Sequence, residues 1–303
     1  MRVFFGAKKI KGLKSPLVAL GVFDGLHLGH LNILNGLVQK ARRDKAKSLV
    51  LTFWPHPQGQ ESLYSLEHRL RLFGSLGIDV CLVMKFTKKF SQISAQSFIE
   101  DILVKKIGAS YVFVGRNFRF GKHASSGIND LKRFARRYNF KLKIFEVIKI
   151  KGRPVSSTYI RNLIKKGNLA TASKLLGRKV TVLGTVVRGS SLARRLGFPT
   201  ANIDPHHEVI PPSGVYAVDV VYRNKKLKGI CNIGIKPTFS FHKDLKFLSK
   251  RNQHIELHIF NFRKNIYGEY LQIQFIKKIR PEKKFPHPLA LAAQIKKDIK
   301  SLL

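Results

Sequence analysis

Apolar residues in the first half of the chain follow two alternating patterns. Short unbroken runs occur at 17–22 (LVALGV), 48–53 (SLVLTF), Val80 to Phe86, Tyr111 to Val114 and Lys141 to Val147. They read as strands buried on both faces, where no polar alternation is required. Between them the apolar spacing is helical. In Leu31 to Arg42, residues Ile33, Leu34, Leu37, Val38 and Ala41 share one face. Glu67 to Gly74, Ala95 to Lys106 behind Ser94, and Asp130 to Tyr138 also read as helices. Strands separated by helices predict an α/β doubly wound parallel sheet of Rossmann-like form. Ligands of such sheets sit outside the carboxyl ends of the strands.

After about Thr185 the pattern becomes strand-like throughout. Val215 to Tyr222, Leu227 to Ile233, Ile255 to Phe260 and Leu271 to Ile276 are separated by Gly, Pro and Asn turns, and one helix, Leu289 to Leu302, closes the chain. This predicts an antiparallel Greek-key β-barrel with a terminal helix. Two short helices, Ser157 to Lys166 and Leu169 to Leu176, lie between the halves. The expected boundary is near Gly177–Val182, giving domains 1–178 and 179–303.

Charge adds one feature. Fifty-seven Lys and Arg against 17 Asp and Glu give a net charge of +40, a field that draws anions. The basic residues are scattered over solvated faces, without a Lys/Arg tail, so they do not by themselves define a nucleic-acid surface. The two cysteines, Cys81 and Cys231, each sit in an apolar run and form no C-x-x-C pair, as expected of a reduced, cytoplasmic protein. No h-region follows Met1, and no apolar run reaches the roughly 18–20 residues that span a bilayer.

The strongest local signal is G-V-F-D-G-L-H-L-G-H at 21–30. It follows a buried strand and opens an amphipathic helix, so backbone N–H groups and the helix dipole favour an anion there. His27 and His30 are three residues apart at that helix start and can reach one phosphate. Gly21, Gly25 and Gly29 let the backbone come close to a ligand. No Walker G-x-x-x-x-G-K-[ST] or G-x-G-x-x-G occurs. The segment resembles the nucleotidylyltransferase superfamily, in which H-x-G-H binds the ATP phosphates. That resemblance implies an ATP site with Gly21, Phe23, Asp24 and Gly29 around His27 and His30.

Three further segments follow in order: F-W-P-H-P at 53–57, V-G-R-N-F-R-F-G at 114–121 and V-S-S-T-Y-I-R at 155–161. They resemble signatures of the bacterial bifunctional riboflavin kinase/FAD synthetases. The resemblance implies that Ser156, Ser157, Thr158 and Arg161 close over the ATP phosphates and that Asn117 positions the reacting groups. Trp54, Pro55, His56, Pro57 and Phe118 would face the flavin. Read without the family, Ser156 or Ser157 is equally a helix N-cap, and Phe118 and Phe120 are equally core residues. Arg116 stands where the family often has an acidic residue.

The second half continues the resemblance. R-R-L-G-F-P-T-A-N-I at 194–203, P-P-S-G-V-Y-A-V at 211–218, N-I-G-I-K-P-T-F at 232–239 and I-Y-G at 266–268 follow in family order, so the likeness covers nearly the whole chain. It implies that Gly197, Thr200 and Asn202 serve a Mg²⁺–ATP site, with Thr200 and Asn202 toward the metal. Glu256 would be the general base on the ribityl hydroxyl, and Tyr216 and Arg280 would face flavin. Mg²⁺ is the expected cofactor, and riboflavin, FMN and ATP are the expected small-molecule partners. The residues alone agree in part: His254, Glu256 and His258 alternate on a strand and project to one face. A solvated strand face or a zinc site is the alternative reading of that triplet.

One stretch departs from the family. Ser190 to Arg195 lacks the acidic residue and the Arg-Gly pair usual before L-G-F-P-T, and phosphate-cradling turns favour glycine. Ser240 to Gln253 is longer and more basic than usual, and is expected as a loop over the flavin. Three functions are therefore weighed. The first is a bifunctional enzyme that phosphorylates riboflavin to FMN and adenylylates FMN to FAD. The second is an FAD synthetase whose barrel binds flavin but phosphorylates weakly or not at all. The third, from the charge, is a nucleic-acid-binding protein, although no aromatic-interleaved basic stripe supports it. Neither a specific nucleic acid nor a membrane is an expected partner, and a monomer or weak oligomer is expected.

Overall fold

Residues 17–20 are buried without interruption, and their side chains point alternately to two separate cores. Leu17 and Ala19 pack on one face with Ile33, Leu34, Leu37 and Phe73, whereas Val18 and Leu20 pack on the other with Phe98, Ile99 and Leu103. That is why the strand runs show no polar alternation. The computed structural model describes residues 1–7, 13–57, 59, 61–189, 197–235 and 253–302. They form two compact units, Met1–Tyr159 and Ile160–Leu303.

In the first unit β1 (Arg2–Phe5), β2 (Leu17–Leu20), β3 (Ser48–Trp54), β4 (Val80–Lys85), β5 (Tyr111–Gly115) and β6 (Lys141–Phe145) form one parallel sheet. Its order is β1-β4-β3-β2-β5-β6. The order reverses at β2, which pairs with β3 on one side and β5 on the other. Helices α1 (Leu28–Arg43), α2 (Leu66–Ser75), α3 (Lys88–Ser91), α4 (Ala95–Ser97) and α5 (Ile128–Arg137) belong to this unit, and α4 runs on as a π-helix over Phe98–Lys106. Ser94 caps α4 by accepting from the Ser97 N–H at 3.0 Å, as its position predicts. The edge strand β1 is absent from the sequence expectation, because its four residues are mostly exposed and carry no buried run. A hairpin, β7 (Lys149–Ile150) with β8 (Arg153–Pro154), was equally too short to read.

Helix α6 (Ser157–Lys165) spans the division between the units, and α7 (Leu169–Leu176) follows it. Gly177 ends α7 in the left-handed region, φ 71°, where glycine carries no Cβ penalty. The division into compact units thus lies earlier in the chain than the boundary expected near 178.

The second unit is a closed antiparallel barrel of β9 (Thr181–Val187), β10 (Ala201–Asp204), β11 (Gly214–Tyr222), β12 (Lys225–Ile235), β13 (Gln253–Ile259) and β14 (Tyr270–Arg280). Its order is β10-β13-β12-β11-β14-β9, and β9 pairs with β10 to close it. Helix α8 (Pro288–Lys300) follows. Four of these strands match apolar runs in the sequence. The others, β9 and β10, escape notice because β9 straddles the change of pattern and β10 has only four residues.

Candidate active site

The loop after β2 is bent by left-handed residues. Phe23 has φ 53°, Gly25 φ 76° and Leu26 φ 39°, and a Cβ at Gly25 would overlap the Leu63 side chain. The buried Asp24 carboxylate accepts from the Leu63 and Tyr64 N–H groups at 3.1 and 3.2 Å. This ties the loop to the segment leading into α2. Asp24 thus serves as a buried brace, and Phe23 is buried with its ring edge-on to His30 at 5.3 Å between centroids.

His27 is the N-cap of α1. Its Nδ1 accepts from the His30 N–H at 3.4 Å, and the two imidazoles stack at 3.7 Å between centroids with 17° between planes. A Cβ at Gly29 would lie 3.2 Å from His27 Cε1 and 3.3 Å from Nδ1. The glycine therefore lets the first ring fold down over the helix start. The two rings converge at the N-terminal end of a 16-residue helix, and β2, which precedes them, is the point where the strand order reverses. Such a position binds anionic groups of nucleotides.

A second loop lies beside the first, at the end of β3. The Arg69 guanidinium, 1% exposed, donates to the Val22 carbonyl at 2.6 Å, to Thr52 Oγ1 at 3.1 Å and to the Phe53 carbonyl at 3.3 Å. It also lies over the Trp54 ring, 5.4 Å from the centroid. Burial pulls its pKa below the ordinary arginine value, and the Asp24 charge acts against that shift. Trp54, His56 and Pro57 are half-buried and Pro55 is exposed. Arg69 was not among the residues expected at the site. The signal was present: a charged residue occupies a buried position between Leu66 and Phe73 on α2.

Ser157 Oγ donates to the Asp24 carbonyl at 2.8 Å, which brings the 155–161 segment to the loop after β2. Ser156 accepts from the Tyr159 N–H at 3.3 Å, so it caps α6, while Thr158 is exposed and Arg161 is buried. Asn117 is exposed beyond the carboxyl end of β5. Phe118 stacks on Phe120 at 5.6 Å and 16° and packs against the core, so its ring has a structural task. Arg116 faces Glu146 at 3.6 Å.

On the barrel, Glu256 stands opposite Asn202 on β10 and opposite Asn232 on β12. The cross-strand row Asn202, Glu256, Asn232 is half-buried. Asn232 was not singled out as a candidate, since only pairing in the sheet sets it beside Glu256. His254 and His258 share the face as the alternation predicts. His254 Nε2 is 3.8 Å from Glu256 Oε1, whereas His258 Nδ1 is 2.9 Å from the Pro199 carbonyl oxygen. A Cβ at Gly189 would overlap the Asn202 amide, which fixes how closely the end of β9 approaches it. Gly197 is exposed, with φ 85°, and Thr200 is half-buried. Thr200, Asn202 and Glu256 supply oxygen donors of the kind Mg²⁺ takes, and they suit a metal that arrives with nucleotide phosphates. Among the described residues no group of three or more His, Cys, Asp and Glu is placed to hold a metal, so the zinc reading of 254–258 finds no ligand set there.

Two residues expected to face flavin have partners within the barrel unit. Tyr216 is 1% exposed, with its hydroxyl donating to the Pro212 carbonyl at 2.6 Å and its ring edge-on to Phe275. Its side chain packs within the barrel core. Arg280 is held by Asp298 of α8, Nε at 3.1 and 3.0 Å from the two carboxylate oxygens and Nη2 at 2.8 Å. A bidentate pair of this kind consumes the guanidinium fork. The turn at 190–196 and the segment 240–252 lie outside the described residues.

Two family models match the chain, one described as FAD synthetase over residues 9–159 and one as riboflavin kinase over residues 176–303. A protein of Buchnera aphidicola subsp. Schizaphis graminum, named bifunctional riboflavin kinase/FMN adenylyltransferase, is 35% identical over 309 residues. That match covers 99% of this chain and 97% of the relative. This chain belongs to the bifunctional riboflavin kinase/FMN adenylyltransferase family. The family member of Escherichia coli strain K12 is 34% identical over 290 residues, 93% of this chain and 90% of that one. A solved structure described as a macrolide-efflux protein from Streptococcus pneumoniae is 27% identical, with a TM-score of 0.80 over 99% of this chain and 98% of its own. Among the described residues no helix is long and apolar enough to cross a membrane.

Proposed function

We infer that this chain is a bifunctional riboflavin kinase and FMN adenylyltransferase with its two chemistries on separate units. The observation that carries the reading is the stacked His27–His30 pair at the start of α1, where the strand order reverses. In the first unit an FMN phosphate oxygen attacks the α-phosphorus of ATP; the new P–O bond forms as the bond to pyrophosphate breaks, leaving FAD. Little covalent work falls to the protein, so positioning and charge stabilisation dominate. His27, His30 and the first N–H groups of α1 receive the triphosphate. Ser156, Ser157, Thr158 and Arg161 act on its phosphates from α6, and Asn117 orients the reacting groups. The Trp54–Pro57 loop borders the flavin.

In the barrel Glu256 takes the proton of the ribityl hydroxyl as its oxygen attacks the γ-phosphorus of ATP; the new P–O bond forms as the bond to ADP breaks, leaving FMN, and a positioned base typically contributes about 10²–10⁴-fold. Thr200 and Asn202 would hold Mg²⁺, which when bound neutralises phosphate charge. Residues 1–178 serve adenylylation and 179–303 serve phosphorylation; the Ser157 bond to Asp24 supports counting α6 with the first. The reactions are placed in the cytoplasm.

Chromatographic separation of riboflavin, FMN and FAD after incubation with ATP and Mg²⁺ tests this. His27→Ala with His30→Ala should stop FAD formation and spare FMN formation, and Glu256→Gln should do the reverse. Loss of both activities on either change would sink the assignment to separate sites. Wild-type protein that makes FAD from FMN but no FMN from riboflavin would establish the weak-kinase reading instead.

A further inference from the structure

We propose that Arg69 is a positioning residue for adenylyl transfer, locking the loop that carries the two histidines to the loop that borders the flavin. The proposal rests on the adenylylation reading of the first unit. An arginine buried on the apolar side of a helix is costly to desolvate, and no core requirement explains it: α2 already packs through Phe73, which is fully buried. Its hydrogen bonds are directed at the carboxyl ends of two neighbouring strands. Nη1 donates to the carbonyl of Val22, next to Phe23 and Asp24, and Nη2 donates to the carbonyl of Phe53, next to Trp54. Thr52 closes the web: its hydroxyl donates to the same Val22 carbonyl at 2.9 Å and accepts from Nη1.

The β2–β3 register ends at Leu20 and Leu51, and the last backbone bond between the two runs from the Gly21 N–H to the Leu51 carbonyl at 3.2 Å, so the Arg69 and Thr52 bonds carry the connection onward to Val22 and Phe53. The planar fork of arginine spans both carbonyls at once, which a lysine ammonium, a single point of donation, cannot do. The Trp54 face over the guanidinium adds a third direction of restraint. Because a misplacement of about 1 Å can cost on the order of 10²-fold in rate, the lock acts on turnover without touching a substrate.

The test uses full-length protein carrying Arg69→Met, Arg69→Lys or Thr52→Val. Each is assayed for FAD formation, for FMN formation as an internal control, and for the stoichiometry of ATP binding by calorimetry. Arg69→Met should lower kcat for FAD formation about 100-fold, with the ATP-binding stoichiometry of the unaltered protein retained and FMN formation unchanged. Arg69→Lys should restore part of that loss, and Thr52→Val, nearly isosteric, should lose several-fold. A loss in kcat accompanied by loss of one of the chain's two ATP sites would mean that Arg69 only holds the fold. Wild-type turnover in Arg69→Met, or in Thr52→Val should the arginine variants fail to fold, would overturn the proposal. Absence of FAD formation in the unaltered protein would instead refute the adenylylation reading itself.

Discussion

Replacing Gly29 by alanine should move stability and activity in opposite directions. Gly29 lies in the first turn of α1 and has no positive φ, so alanine meets no backbone penalty. Glycine within a helix costs roughly 0.5–1 kcal/mol relative to alanine, and the lower end applies in a first turn, so the fold should gain about 0.5 kcal/mol. The added methyl, however, would sit 3.2 Å from His27 Cε1 and 3.3 Å from Nδ1. Relief requires the ring to retreat by about 0.3–0.8 Å, given ordinary carbon contacts of roughly 3.5–4.0 Å. His30, stacked at 3.7 Å on the ring, would be disturbed with it. If about 1 Å of misplacement costs on the order of 10²-fold, this shift should lower FAD formation about 10-fold. Thermal unfolding and a FAD-formation assay on the same preparation read both quantities. An alanine variant as stable as the parent or more so, yet adenylylating at the parent rate, would refute the idea that the histidine stack sets the chemistry.

The barrel and the thiols offer simpler checks. Asp298→Ala should cost about 3 kcal/mol, the low end for removing one partner of a buried pair, because Arg280 keeps 13% of its side-chain surface and Asp298 only 3%. Denaturant unfolding measures it, and an unchanged midpoint would show that α8 is not held there. Burial pushes the Cys81 thiol up to about 12 and raises Cys231 further from its ordinary value. Since only the thiolate reacts, an Ellman-type reagent at pH 8 should label neither cysteine in folded protein and both after denaturation. Rapid labelling of folded protein would contradict that burial.

The period of the apolar positions is a local property, so most elements could be read directly. The runs at 17–22, 48–53 and 80–86 correspond to the parallel strands Leu17–Leu20, Ser48–Trp54 and Val80–Lys85, and the 3.6-residue stripe of Ile33, Leu34, Leu37, Val38 and Ala41 became the buried face of α1. The three-residue spacing of the histidine pair at a helix start was equally legible, whereas the extended N-cap backbone that folds the His27 ring over Gly29 was not. Two short strands were not: β1 is mostly exposed and β10 only partly buried, so neither carries the unbroken apolar run that made the equally short β2 legible.

The network around the sites came from tertiary structure. No spacing rule links Arg69 with Val22 and Phe53, or Asn232 with Glu256; a crossover helix joins the first set and sheet register the second. The same holds for Tyr216 and Arg280. That β11 turns the Tyr216 ring inward, and that α8 supplies a carboxylate to Arg280, follows from no local pattern. Local sequence dictates which residue types a segment can present. Only the folded backbone decides which of them meet, because contacts between distant segments depend on strand order and register, and neither is written in any single segment.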